Sequence, residues 1–181
     1  SFFFTGDYLR IADHSEGIRR IIEEGHYLGP HGDAHLLYCP WDDREKTLVT
    51  QEEFARDLRK NIDDLVALGV PRAEITWWIP PYEWYNEQIV EWSLAEGIRL
   101  FNFTPGTLSH TDYTESDAKN YRDSDTIYRS ILEYEAEQEN ALDGFLLLSH
   151  VGAGKGRQDK FYKHLPALLD ELRNRGYEFV R

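Results

Sequence analysis

Two histidines four residues apart, His31 and His35, stand in Pro30-His31-Gly32-Asp33-Ala34-His35, directly after the short segment Tyr27–Gly29. On a helical turn this spacing puts both imidazoles on one side, where they can reach one cation. Zinc and similar divalent ions accept neutral imidazole nitrogen, and catalytic sites add a third protein ligand and keep a position for water. The plainer alternative is a pair of solvated loop histidines. Pro80-Pro81-Tyr82-Glu83-Trp84-Tyr85 follows the run Trp77-Trp78-Ile79. Its prolines stiffen the loop, and a stiff loop can aim a backbone N–H at developing negative charge. Tyr82 and Trp84 offer flat faces to a sugar ring, whereas Trp77 and Trp78 read as alternating core and outer-layer residues. Ser149-His150 follows the apolar run Phe145–Leu148. A histidine there suits general acid or base work, with a hydrogen-bonded core histidine as the alternative. Gly152-Ala153-Gly154-Lys155-Gly156-Arg157 imitates a phosphate loop but has neither GxxxxGK[ST] nor GxGxxG spacing, so it reads as a mobile flap beside His150. Asp42 and Asp43 could add a carboxylate, and His14, His26, His110 and His164 have no comparable setting.

The elements that must carry these residues alternate apolar runs with amphipathic helices. Phe2–Phe4 reads as a buried strand ended by Thr5-Gly6-Asp7. Ser15 is expected to cap a helix bearing Ile18, Ile21 and Ile22, stopped by Gly25. Thr50-Gln51-Glu52-Glu53 is a capping box opening a helix with Phe54, Leu58, Ile62, Leu65 and Val66 on one face. Strands are predicted over Glu74–Ile79 and Ile98–Phe103, with a helix around Ile89, Val90, Leu94 and Ala95 between them. Thr104–Asp123 reads as a polar surface loop, followed by a helix with Ile127, Ile131, Leu132 and Tyr134. Phe145–Leu148 and Tyr177–Val180 are predicted strands flanking a last helix that begins near Pro166. Strand–helix alternation of this kind means crossover connections and a mainly parallel sheet, with chemistry at the carboxyl ends of the strands.

Composition narrows the partners. The 181 residues suit one domain, and Lys plus Arg number 20 against 33 Asp plus Glu, a net charge of −13. That balance argues against phosphate-backbone binding, so nucleic acid is not an expected partner. No apolar run approaches the ~20 residues of a membrane span. Cys39 is the only cysteine, which excludes an internal disulfide. Met is absent and the chain opens on Ser1-Phe2-Phe3-Phe4, so the expectation is a fragment of a longer chain, with upstream sequence missing and other domains possible partners.

In this order the residues resemble the polysaccharide deacetylase family (NodB homology, carbohydrate esterase family 4). Phe2-Phe3-Phe4-Thr5-Gly6 is similar to its second strand. Glu24 to His35 resembles its metal motif, a glycine-led strand ending in His-Ser/Thr-x-x-His. Ile79-Pro80-Pro81-Tyr82-Glu83 resembles Arg-x-Pro-Tyr-Gly, and Leu147-Leu148-Ser149-His150 with Leu165-Pro166 to Val180 resembles the last motif and closing elements. The likeness runs end to end.

The resemblance implies a distorted (β/α) barrel whose first strand is missing here, residues 1–181 forming a single deacetylase-like domain. It implies metal-dependent hydrolysis of N- or O-acetyl groups on a carbohydrate, in an extracellular or periplasmic setting. His31 and His35 would hold a divalent metal, zinc by ligand type, with the third protein ligand and the general base upstream of Ser1. Tyr82 would hold the oxyanion through its N–H, His150 would protonate the leaving group, and Pro81, Glu83 and Trp84 would line the substrate site. This chain departs from the pattern at four places. Gly32 replaces a bracing hydroxyl residue, Ile79 an arginine and Glu83 a glycine, and Asn102-Phe103-Thr104 lacks the aspartates of the fourth motif. A divergent branch follows, for which a catalytically silent carbohydrate-binding homologue is the alternative. A sugar hydrolase with paired carboxylates is a weaker one, since Glu83 has no evident partner.

Overall fold

In the computed structural model, which describes residues 1–180, the first apolar run forms β1 (Phe2–Phe4) and pairs in parallel with β2 (Leu28–Pro30), Phe3 opposite Gly29. The single turn α1 (Gly6–Leu9) and the helix α2 (Ser15–Glu23) connect them. Gly25 takes φ 77°, the left-handed stop expected after α2. Ser15 is not the cap. A 3-10 turn at Ala12–His14 runs straight into α2, so His14 occupies the cap position and Ser15 lies in the first turn.

The next helix, α3 (Gln51–Ala67), opens with the predicted box: Glu53 N–H donates to Thr50 Oγ1 at 3.2 Å and Thr50 N–H to Glu53 Oε2 at 2.8 Å. Phe54, Leu58, Ile62 and Leu65 are buried, whereas Val66 is exposed. The strands β3 (Trp77–Trp78) and β4 (Arg99–Leu100) pair in parallel around α4 (Glu87–Ala95). Both are shorter than the apolar runs suggest, and Arg72–Glu74 has coiled into a 3-10 turn ahead of β3. Trp78 is buried and Trp77 exposed, the expected alternation across a strand. The Tyr27 hydroxyl accepts from Trp77 N–H at 2.8 Å and donates to Trp77 O at 2.7 Å, tying β2's approach to β3. Phe4, Leu28, Phe54, Trp78, Ile89 and Ile98 belong to one core, so strand, helix and return strand share a hydrophobic interior.

The chain divides into two compact units, residues 1–102 and 103–180. The second is built on α5 (Ser124–Glu137) and α6 (Leu165–Asn174), with Ile127 and Ile131 packed on Phe161, Leu168 and Leu172. Pro166 sits in the first turn of α6 as expected. The predicted strands Phe145–Leu148 and Tyr177–Val180 are not strands here. Residues 145–148 meet the chain through Thr104, whose N–H donates to Leu146 O at 3.0 Å and whose hydroxyl accepts from Leu146 N–H at 3.1 Å. Phe179 and Val180 are exposed. Apolar composition makes a strand only where a neighbour supplies a ladder. The glycine-rich segment after His150 is tied down rather than a flap. The buried Arg157 guanidinium donates to Thr114 O, Arg122 O and Asp159 O, and Glu115 Oε1 accepts from Gly156 N–H. Among the described residues no helix is long and apolar enough to cross a membrane.

Candidate functional site

The chain leaves β2 at Pro30 into a loop whose backbone is held from α3. His31 N–H donates to Asn61 Oδ1 at 2.8 Å. The Asp57 carboxylate accepts Asp33 N–H at 2.9 Å, Ala34 N–H at 2.9 Å and the Tyr38 hydroxyl at 3.1 Å. Burial, reinforced by the Asp57 charge, pushes the Tyr38 phenol well above its ordinary range, so it stays a donor. Gly32 takes φ 79°, and a Cβ there would lie 3.0 Å from Asp57 Oδ2 and 3.1 Å from Pro81 Cγ. The position thus favours glycine on backbone and space alike. Asp33 bonds Arg10 at 2.5 Å and Lys60 at 2.7 Å; burial alone would raise its carboxyl, but these cations hold it below the usual range.

This scaffold brings His31 and His35 together, ring centroids 5.0 Å apart at 63°. Two imidazoles on one tetrahedral ion, with nitrogens about 2.0–2.1 Å from it, have centroids roughly 5 Å apart. His31 Nδ1 lies 2.8 Å from Ile79 O, and a carbonyl only accepts, so Nδ1 carries the proton and Nε2 the lone pair. That is the tautomer a ligating histidine uses, oriented by a backbone carbonyl. His35 has φ 52°, a strained conformation outside glycine, and its ring packs 4.3 Å from Tyr82. The donor chemistry therefore fits two ligands of a divalent ion. Among the described residues no group of three His, Cys, Asp or Glu could hold a metal.

The segment after β3 faces this loop. Pro81–Glu83 forms a 3-10 turn in which Tyr82 (φ 61°) and Glu83 (φ 52°) are both left-handed. Glu83 stands where the resemblance has glycine, and it adopts the backbone conformation that glycine favours. Glu83 N–H donates to Pro80 O at 2.9 Å and its carbonyl accepts from Asn102 at 2.9 Å. Trp84 Nε1 donates to Pro40 O at 3.2 Å, and Arg44 lies 4.6 Å over the Trp84 ring. His31, His35, Pro81, Tyr82, Glu83 and Trp84 thus all belong to the first unit and gather where β2 and β3 end.

His150 belongs to the second unit and is held by Asp112. The carboxylate accepts His150 N–H at 2.8 Å through Oδ2, and Oδ1 lies 2.6 Å from Nδ1. Asp112 is 3% exposed, so the pairing fixes both the ring's orientation and its Nδ1 proton. Tyr113 packs 4.9 Å from the same ring. His110, stacked on Phe103 at 5.0 Å, has its pKa lowered by burial and then by His150. Sequence reasoning missed Asp57, Asn61, Trp41 and Asp112. The first two carried a signal, an i, i+4 polar pair flanking an apolar face; Trp41 and Asp112 carried none.

A family model described as polysaccharide deacetylase matches residues 1–101. No curated protein matches the chain. Among solved structures, a CE4 family pseudoenzyme from Bacillus anthracis is similar with a TM-score of 0.69 at 14% identity, covering 98% of this chain and 51% of its own. A peptidoglycan N-acetylglucosamine deacetylase gives 0.72 at 20% identity, covering 99% and 71%. A family 4 acetyl xylan esterase from Clostridium thermocellum, in complex with a cobalt ion, gives 0.71 at 16%, covering 99% and 72%. The chain spans about half the length of the pseudoenzyme. These likenesses establish the fold.

Proposed function

The chain belongs to the polysaccharide deacetylase family, and from that premise we propose that residues 1–181 form a distorted (β/α) barrel domain acting in metal-dependent removal of N- or O-acetyl groups from a carbohydrate. One observation carries the reading: two imidazoles, 5.0 Å apart, with His31 locked by Ile79 O in the tautomer a metal requires. His31 and His35 would supply two ligands to a divalent ion, zinc by donor type. Such an ion supplies Lewis acidity toward an acetyl carbonyl and lowers the pKa of water. Tyr82 offers its N–H to the developing oxyanion, from a turn in which the Glu83 N–H is already committed to Pro80 O. His150 is the general acid in this reading. Asp112 keeps the proton on Nδ1, so Nε2 exchanges the proton delivered to the leaving amine or alkoxide. Pro81, Glu83 and Trp84 line the carbohydrate's approach.

A second reading is a silent carbohydrate-binding homologue, supported by Ile79 and Glu83 standing where the resemblance has arginine and glycine. Metal analysis and acetate release on the full-length protein separate the two. The enzyme reading expects about one divalent ion per chain, lost with acetate release in His31→Ala or His35→Ala. Wild-type protein that binds glycan, releases no acetate, and binds equally well after both substitutions is a binding protein.

A further inference from the structure

His150 stands in neither a helix nor a strand, and the side chain that places it comes from a stretch of the second unit, residues 112–124, that meets residues 150–159 in step. Asp112 takes His150 at the first rung, through its N–H and Nδ1. At the next, Glu115 Oε1 accepts Gly156 N–H at 3.2 Å. A Cβ on Gly154 or Gly156 would lie 2.1 or 2.6 Å from the Glu115 carboxylate oxygens, so glycine is what lets the backbone approach this closely. At the far end Asp159 Oδ2 accepts Ser124 N–H.

Arg157 ties these rungs together. Its side chain is fully buried and donates to Thr114 O at 3.1 Å, Arg122 O at 3.0 Å, Asp159 O at 2.6 Å and Ser124 Oγ at 3.3 Å. The guanidinium also lies 4.9 Å over the Tyr121 ring. A buried cation is tolerated only when its donors are met, and the planar fork of arginine meets several acceptors at once. Thr114 is two residues from Asp112. Its N–H and hydroxyl both close on Thr111 O, at 3.1 and 2.8 Å, so Asp112 sits within the turn whose last carbonyl Arg157 holds. On the other side Arg157 N–H donates to Gly154 O at 3.1 Å, which shortens the path back to His150.

We propose that Arg157 is a positioning residue for His150: it clasps the turn that carries Asp112 to the segment that carries His150, and the Asp112–His150 contact depends on that clasp. The clasp does not require the deacetylase reading; its consequence for proton delivery rests on it. An arginine that only stabilised the second unit would leave the contact intact in any variant that folds.

The test is NMR of the full-length protein labelled at histidine nitrogen, for wild type, Arg157→Lys and Glu115→Ala, with urea denaturation alongside. A ring N–H bonded to a buried carboxylate resonates far downfield and exchanges slowly with water, and its loss in His150→Gln assigns it. Arg157→Lys keeps the charge and loses the fork. This variant is expected to fold, to lose the resonance or speed its exchange about tenfold, and to lower kcat for acetate release about tenfold with KM unchanged. Added to Asp112→Ala, the same change lowers kcat little further, since both remove one contact. A folded Arg157→Lys with the wild-type resonance and exchange rate overturns the inference, as does a wild type without the resonance. If Arg157→Lys does not fold, Glu115→Ala decides, because that contact is exposed and dispensable for folding. Exchange at His150 is then expected to quicken severalfold, and an unchanged rate overturns the inference. A resonance that depends on Arg157 in a protein releasing no acetate removes the deacetylase reading and keeps this one.

Discussion

Asp57 decides the geometry of the histidine loop, and its contribution can be separated from that of the two histidines the loop carries. Its two oxygens accept two backbone N–H groups and the Tyr38 hydroxyl in a setting only 8% exposed. Asp57→Ala leaves three donors without an acceptor, each costing about 1–3 kcal/mol when buried. Partial entry of water into the vacated space brings the expected total to about 3 kcal/mol. Asp57→Asn keeps the shape but turns an NH2 toward one of those donors, so its loss falls between wild type and alanine. Urea denaturation reads this stability series. Metal titration should follow it, about 10–100-fold weaker in the alanine variant, because the orientation of His31 and His35 depends on the loop. An alanine variant with wild-type affinity for zinc removes Asp57 from the site. At this scale the juxtaposition of His31 and His35 was legible because motif spacing is local. Asp112 and Trp41 were not, since each acts on a segment far along the chain: Asp112 on His150 and Trp41 on Tyr82.

Elements that close their hydrogen bonds locally were the readable ones, and α3 is the clearest case. Its box, its apolar stripe and the glycine stop at Gly69 (φ 100°) all lie within one stretch of chain. Thr50→Ala removes the acceptor for Glu53 N–H and the partner for the Glu53 carboxylate, for an expected loss of about 1 kcal/mol in chemical denaturation. Metal content should not change, because α3 reaches the histidine loop through Asp57 and Asn61, two and three turns further on. A loss of metal in this variant would instead mean that fraying of the first turn spreads to those side chains. The strands were harder for the same physical reason turned round. β3 and β4 keep two residues each, and the apolar runs at 145–148 and 177–180 form none. A run of Phe and Leu specifies burial, whereas the ladder depends on what lies beside it. The Gly152–Arg157 segment reads as a mobile flap from its glycine spacing alone, whereas the Arg157 guanidinium that ends it is fully buried against three carbonyls, two of them far along the chain.

Over the whole molecule the acidic excess sets which carbohydrates can approach. Net charge is −13, and many of the cations are already spent on local partners: Arg19 on Glu23, Arg20 on Glu24, Arg59 on Glu96 and Arg175 on Glu171. The net charge therefore gives the chain a negative field. A divalent ion is drawn toward such a surface, and so is a neutral acetylated glycan by contacts alone, but a uronate-bearing chain is repelled. The field reaches only a Debye length, about 10 Å at 0.1 M salt and about 30 Å at 0.01 M. For a neutral acetylated oligosaccharide and its uronate-bearing counterpart, kcat/KM should favour the neutral one severalfold at low ionic strength. Raising salt from about 0.01 to 0.3 M should narrow the ratio by lifting the anionic substrate's value while leaving kcat on the neutral substrate in place. A preference that salt does not move would locate the discrimination in direct contacts, with Glu83 and Asp42 beside the aromatic surface as the residues to replace.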